Sequence, residues 1–129
     1  SARIFRVIVP VSDIERATAF YGSLLGLQGE RVSAGRRYFK CDGVILACFD
    51  PRADGDAYDP RPNQEPIYFS VGSLGELFAK AKQLGARIKS DIQTQPWGER
   101  SFYIEDPFEN PLCFVDEETV FKGKAIKFV

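Results

Sequence analysis

Among 129 residues there is no histidine, no methionine, one tryptophan and three cysteines. Without an imidazole, a Ser-His-Asp triad, a Cys-His dyad and every His-ligated metal site are excluded. The thiols Cys41, Cys48 and Cys113 are odd in number and widely spaced. That pattern gives neither a disulfide framework nor a zinc knuckle, and suits reduced cysteines in the cytoplasm. There is no surplus of positive charge: 17 basic residues face 18 acidic ones, for a net charge of -1. Nothing is available to neutralise a run of phosphates, so no nucleic-acid partner is expected. The longest apolar runs, such as Val44 to Phe49, are far too short to cross a bilayer, and no membrane partner is expected. The chain opens without a basic-then-apolar leader, which again points to a cytoplasmic protein.

What is present reads as one soluble domain over residues 1–129. Hydrophobic residues make up 44% and charged residues 27%, an ordinary globular balance in a chain long enough for one real core. Residues 4–11 are β-branched and aromatic and predict a strand. Ser12-Asp13-Ile14-Glu15 follows as a capping box, which gives Glu15 a capping role. Ile14, Ala17, Tyr21, Leu24 and Leu25 then form one apolar helical face that stops at Gly26. Strands are expected at 28–33, 36–41 and 43–49, with Arg36-Arg37 solvated near the intervening turn. The same order returns after a polar, proline-rich connector at 50–65: a strand at 66–71 and a second capping box, Ser73 to Glu76. A helical stripe of Leu74, Leu77, Phe78, Ala81 and Leu84 follows and stops at Gly85. Strands at 86–92, 100–105 and 110–116 complete it. The modules 4–49 and 66–116 are offset by about sixty residues, the mark of a duplicated unit in which neither half buries its sheet alone. Residues 117–129 are left as an edge strand or a partner contact.

This order, strand-helix-three strands twice over, resembles the vicinal-oxygen-chelate superfamily of glyoxalases, bleomycin resistance proteins and extradiol dioxygenases. Val7 to Ala17 with Phe20-Tyr21 and Leu24 to Leu27 is similar to that family's first strand and helix. Trp97 to Phe102 with Asp106-Pro107 and Asn110-Pro111-Leu112 is similar to its closing hairpin. The resemblance implies an α+β fold of tandem βαβββ modules forming a cup-shaped mixed sheet. It also implies two metal ligands from each module, usually His and Glu. Here those slots hold Arg6, Ala47, Pro66 and Cys113. An arginine has no lone pair to give, Pro and Ala offer no side-chain donor, and one thiol is not a site. No metal and no other cofactor is therefore expected.

Strand alternation then sorts the cup. Arg6 and Ile8 face inward from the first strand, and Ile45, Ala47 and Phe49 from the fourth. Tyr68, Ser70, Cys113, Val115, Ser101 and Tyr103 do so in the second module, with Trp97 at the rim. The residues expected to bind a ligand are Arg6, Ile8, Ala47, Phe49, Tyr68, Trp97, Tyr103 and Cys113. Such a lining suits a small, partly hydrophobic molecule, aromatic or anionic at the Arg6 end. Competing roles stand beside these. Arg6 could instead pair with Glu105 or Glu65 and close the cup. Cys113 could be a packing residue, and Tyr68, Tyr103 and Trp97 could pack rather than recognise. The connector could be a linker or a lid.

Three functions remain open. The first is metal-independent binding of a small molecule, with a homodimer completing the cup. The second is a metal-free lyase or isomerase using Arg6 with Tyr68, Tyr103 or Glu105. The third is a regulatory or interaction domain whose cup is filled by its own side chains.

Overall fold

The computed structural model describes residues 1–123. A strand β1 (Arg6–Pro10) leads into helix α1 (Ile14–Leu25) and then strands β2 (Glu30–Ser33), β3 (Arg36–Cys41) and β4 (Val44–Phe49). Strand β5 (Ile67–Val71), helix α2 (Leu74–Gln83) and strands β6 (Arg87–Thr94), β7 (Arg100–Glu105) and β8 (Pro111–Asp116) repeat the order. The fold is thus α+β with tandem βαβββ modules. Each module forms a four-stranded sheet, β1-β4-β3-β2 in the first and β5-β8-β7-β6 in the second. The β1–β4 and β5–β8 pairs are parallel and the others antiparallel. A parallel pair needs a crossover, and in each module the helix lies within it.

Several element ends depart from the sequence reading. Ile4 and Phe5 precede β1, although the Phe5 carbonyl still accepts from Ile45 N at 2.7 Å. Strand β6 runs on to Thr94, beyond the expected 92. The first capping box does not form. Val11 N donates to Phe49 O at 2.9 Å and holds the chain extended one residue longer. Asp13 thereby becomes the N-cap, its carboxylate accepting from Arg16 N at 3.0 Å. In the second helix Ser73 is the N-cap but makes no side-chain capping bond. Glu15 is instead the partner of Arg37, at 2.8 Å. Arg37 is no solvated turn residue. It is 7% exposed, because two adjacent strand residues must face opposite sides and Arg37 takes the α1 side. The helix stops come where expected, with Gly26 at φ 66 and Gly85 at φ 75, the left-handed conformation that glycine adopts without strain. Of the C-terminal stretch, residues 117–123 form no strand: Thr119 N turns back onto Asp116 O at 2.8 Å. The rest of that expectation, 124–129, lies outside the described residues.

The helix-facing sides of both sheets share one core. Val9, Leu46 and Phe39 lie with Tyr21 and Leu24 of α1, and the cluster continues through Phe102, Ile104, Leu112 and Phe114 with Leu74 and Ala81 of α2. Phe69, Phe114 and Phe102 stack successively, with centroids 4.9 and 5.4 Å apart. A buried polar knot also links the modules. Tyr21 of α1 donates to Asp106 in the β7–β8 turn, and Asn110 donates to both Asp106 and the Pro10 carbonyl at the end of β1.

Candidate functional site

Because α1 and α2 each cover only one side of a sheet, the opposite sides carry the candidate site. On the first module the register sets Ala47 between Ile8 on β1 and Tyr38 on β3. On the second it sets Cys113 between Tyr68 on β5 and Tyr103 on β7. The two rows correspond through the repeat, each with a small residue flanked by larger ones. That is why Ala47 and Cys113 are fully buried although they sit on uncovered faces. Their neighbours remain open: Ile8 is 42% exposed and Tyr68 57%.

Arg6 finds neither Glu105 nor Glu65. Its Nη1 donates to the Tyr38 hydroxyl at 2.8 Å, and its guanidinium lies 4.9 Å from the Phe5 ring centroid and 5.5 Å from that of Tyr38. Glu105 is taken by Arg87 and Lys89, at 3.6 and 3.7 Å. On the second module the Tyr68 and Tyr103 hydroxyls approach to 3.5 Å, with their rings edge to face. Trp97 is exposed on the β6–β7 turn, its Nε1 donating to Glu99 at 2.9 Å. Phe49 is half-buried beneath the Arg36 guanidinium, 4.3 Å from its ring centroid. The structure thus gathers the expected residues into two groups. Arg6, Ile8, Ala47 and Phe49 belong to one module, and Tyr68, Tyr103 and Cys113, with Trp97 nearby, belong to the other. No hydrogen bond or ring contact among the described residues joins the two. A cavity of about 710 Å3 lies elsewhere, between Leu24 and Leu46 on one side and Phe69 and Leu77 on the other, with Tyr68 and Ser70 at its edge.

Sequence reading missed Tyr38 and Arg36. Both sit on β3 opposite residues already placed on the open face, Tyr38 across from Ala47 and Arg36 across from Phe49. The signal was the Asp42-Gly43 turn, which fixes that pairing.

The slots named for a metal do not fit one. The Arg6 guanidinium is engaged as a donor, Pro66 and Ala47 carry no ligand atom, and burial pushes the Cys113 thiol up, away from the thiolate a metal needs. Among the described residues no three of His, Cys, Asp and Glu stand together as a metal cluster would. The same groups give little nucleophilic or basic power. The hydrogen bond with Tyr68, then burial, raises the Tyr103 phenol. Burial, followed by the Asp106 charge, raises the Cys48 thiol to about 12, and burial also raises Cys41. All three thiols are expected to resist iodoacetamide at pH 8, with half-buried Cys41 alkylated first and Cys48 last by peptide mass spectrometry. Alkylation of Cys113 as fast as free cysteine would show an activated thiolate instead. The folded chain holds these protons above the ordinary thiol value of 9.0 and the unfolded chain does not. The thiols' contribution to stability is therefore fully present below pH 9.0 and is lost as pH rises toward about 12.

No helix among the described residues is long and apolar enough to cross a membrane. Residues 3–114 match the sequence model of the Glyoxalase/Bleomycin resistance protein/Dioxygenase superfamily. A bleomycin resistance protein of Geobacillus stearothermophilus is 24% identical over 124 residues, covering 84% of this chain and 92% of its own. Among solved structures, a lactoylglutathione lyase from Agrobacterium tumefaciens superposes with TM-score 0.72 at 22% identity, over 90% of this chain and 94% of its own. A glyoxalase-related enzyme from Fulvimarina pelagi gives TM-score 0.75 at 17% identity, over 98% and 97%. Family match, module order and sheet topology agree: the chain belongs to the Glyoxalase/Bleomycin resistance protein/Dioxygenase superfamily.

Proposed function

We propose that the chain is a metal-independent, glyoxalase/bleomycin-resistance-like binding protein of the cytoplasm, a single domain of modules 4–49 and 66–116 joined by the connector 50–65. Its ligand is a small, partly hydrophobic molecule with an anionic group near Arg6, and a second copy of the chain completes the cup. The observation that carries this reading is the pair of uncovered sheet faces. Each bears large apolar or aromatic groups on an edge strand, with Ile8 42% exposed on β1 and Tyr68 57% exposed on β5. Large exposed apolar groups of this kind mark binding or association surfaces. The residues of one face sit apart from those of the other, so two copies that bring unlike faces together would enclose the ligand on both sides. Similarity to bleomycin resistance proteins favours binding over catalysis. The raised Tyr103 and Cys113 groups, and a Glu105 held by two cations, supply no poised acid or base for a lyase.

Native mass spectrometry of the purified chain tests the reading. The expected species is twice the 14.5 kDa chain mass, carrying an organic passenger and no metal. Arg6→Ala should weaken passenger binding about tenfold, near 1.4 kcal/mol. A bare monomer, or a stoichiometric divalent ion, overturns it.

A further inference from the structure

The connector does more than join the modules. It folds back over the end of β4 and borders an open cavity of about 660 Å3 lined by Pro10, Phe49, Pro51, Tyr58, Pro60 and Arg61. Its volume is that of a small-molecule site, which runs from about 300 to 1,000 Å3. The Phe49 and Tyr58 rings, with the Pro10 and Pro60 rings, present flat, rigid surfaces suited to a planar ligand. The Arg36 guanidinium lies 4.3 Å from the Phe49 ring centroid and holds that ring in place.

The walls are held from several directions. Asp54 accepts from Gly35 N at 2.6 Å, Ser33 Oγ at 2.9 Å and Arg36 Nη1 at 3.1 Å. Further along, Asn63 N donates to Asn110 Oδ1 at 2.8 Å. Charge decides the ligand. Asp59 also lines the cavity, but its carboxylate is engaged by Arg52 Nε at 2.9 Å. Arg61 makes no ion pair among the described residues. The cavity therefore offers aromatic and proline walls with one uncommitted cation.

We propose that this connector cavity binds a planar aromatic anion, its ring against Phe49 and Tyr58 and its acidic group at Arg61. The site does not depend on Arg6, Tyr68 or Cys113 holding a ligand, and shares with the open face of the first module the paired residues Pro10 and Phe49.

Isothermal titration of the intact chain with 2-naphthoate and with its cationic counterpart 2-naphthylmethylamine tests the assignment. The naphthoate should bind about tenfold more tightly than the amine. Arg61→Gln should remove most of that preference, and Tyr58→Ala should weaken naphthoate about fivefold. Lys80→Gln, exposed on α2 and outside both sites, should leave naphthoate binding unchanged. Tyr58 and Arg61 are both exposed, so the variants should keep the wild-type melting temperature. Absence of saturable binding, equal affinity for the two probes, or an unaffected Arg61→Gln overturns the proposal. Loss of naphthoate binding in Arg6→Gln alone also overturns it, by placing the anion on the open face and leaving the cup reading standing.

Discussion

Asp106→Ala should lower stability by about 3–5 kcal/mol, the largest loss expected from any single side chain outside the apolar core. The carboxylate is 4% exposed. It accepts from the Tyr21 hydroxyl at 2.5 Å, from Phe108 N and Asn110 N at 2.8 Å each, and from Asn110 Nδ2 at 2.9 Å. Truncation strands four donors in or near the interior, and an unsatisfied buried donor costs about 1–3 kcal/mol. These costs do not add fully, since neighbours relax together. The loss is still a large part of the roughly 5–15 kcal/mol that holds an ordinary domain. Tyr21→Phe removes one donor with its oxygen and should cost about 1–2 kcal/mol. Burial, then the Asp106 charge beside it, holds the Tyr21 phenol well above its ordinary value, so it remains a donor at any physiological pH. Urea denaturation of the two variants gives both numbers. An Asp106→Ala loss below about 1 kcal/mol would mean that the knot is satisfied by water and does not tie the modules. The tie also reaches the candidate site. Asn110 holds the Pro10 carbonyl, and Asn63, itself held by Asn110, donates to the Ile8 carbonyl at 3.0 Å. The strand bearing Arg6 and Ile8 is thereby fixed to the second module.

Module order was readable in the sequence because each element carries its own period. Alternation at Val7-Val9 and Leu46-Cys48 gives strands, and the spacing of Ile14, Ala17, Tyr21 and Leu24 gives a helix. The same alternation placed Arg6, Ala47, Tyr68, Tyr103 and Cys113 on the sides away from the helices. It could not say what each would touch. Arg6 reads as a ligand-binding residue with a carboxylate pairing as the alternative; that pairing does not form, and Arg6 lies against Tyr38, because its partner depends on β3 register two strands away. That register was within reach: Asp42 at φ 49 and Gly43 at φ 94 form the tight turn that Asp-Gly favours, and it pins Tyr38 opposite Ala47. The capping box at Ser12 failed because a tertiary bond, Val11 N to Phe49 O, outweighed a local preference. The connector was hardest to read. Its prolines and aspartates look solvated in sequence, and only the fold shows Asp54 satisfying three donors on β2, β3 and the turn between them.

Gly35→Ala should cost about 2–4 kcal/mol and release the connector. A Cβ at Gly35 would lie 2.2 Å from the Asp50 carbonyl oxygen and 3.0 Å from Asp54 N. Both are backbone atoms, so no side chain can swing aside. The chain must move, and with it the bonds from Asp50 N to Gly35 O at 2.8 Å and from Gly35 N to Asp54 Oδ1 at 2.6 Å. Gly43→Ala is the control. Its Cβ meets nothing within 4 Å, and only its positive φ is strained, at about 1 kcal/mol. The pH dependence separates a sprung connector from a merely crowded turn. Hydrogen bonds from Ser33 and Gly35, with the Arg36 charge, hold the Asp54 carboxyl below its ordinary value of 3.8. A lowered carboxyl stabilises the fold above that value and loses its contribution as pH falls through the folded one. Wild type should carry this contribution at pH 7 and the variant should lack it, so the stability gap between them should narrow on acidification below 3.8. A gap that stays constant with pH would leave Asp54 still bonded in the variant and the cost purely steric. A narrowing gap, together with weakened naphthoate binding, would make Gly35 the point at which the first sheet grips the connector and shapes its cavity.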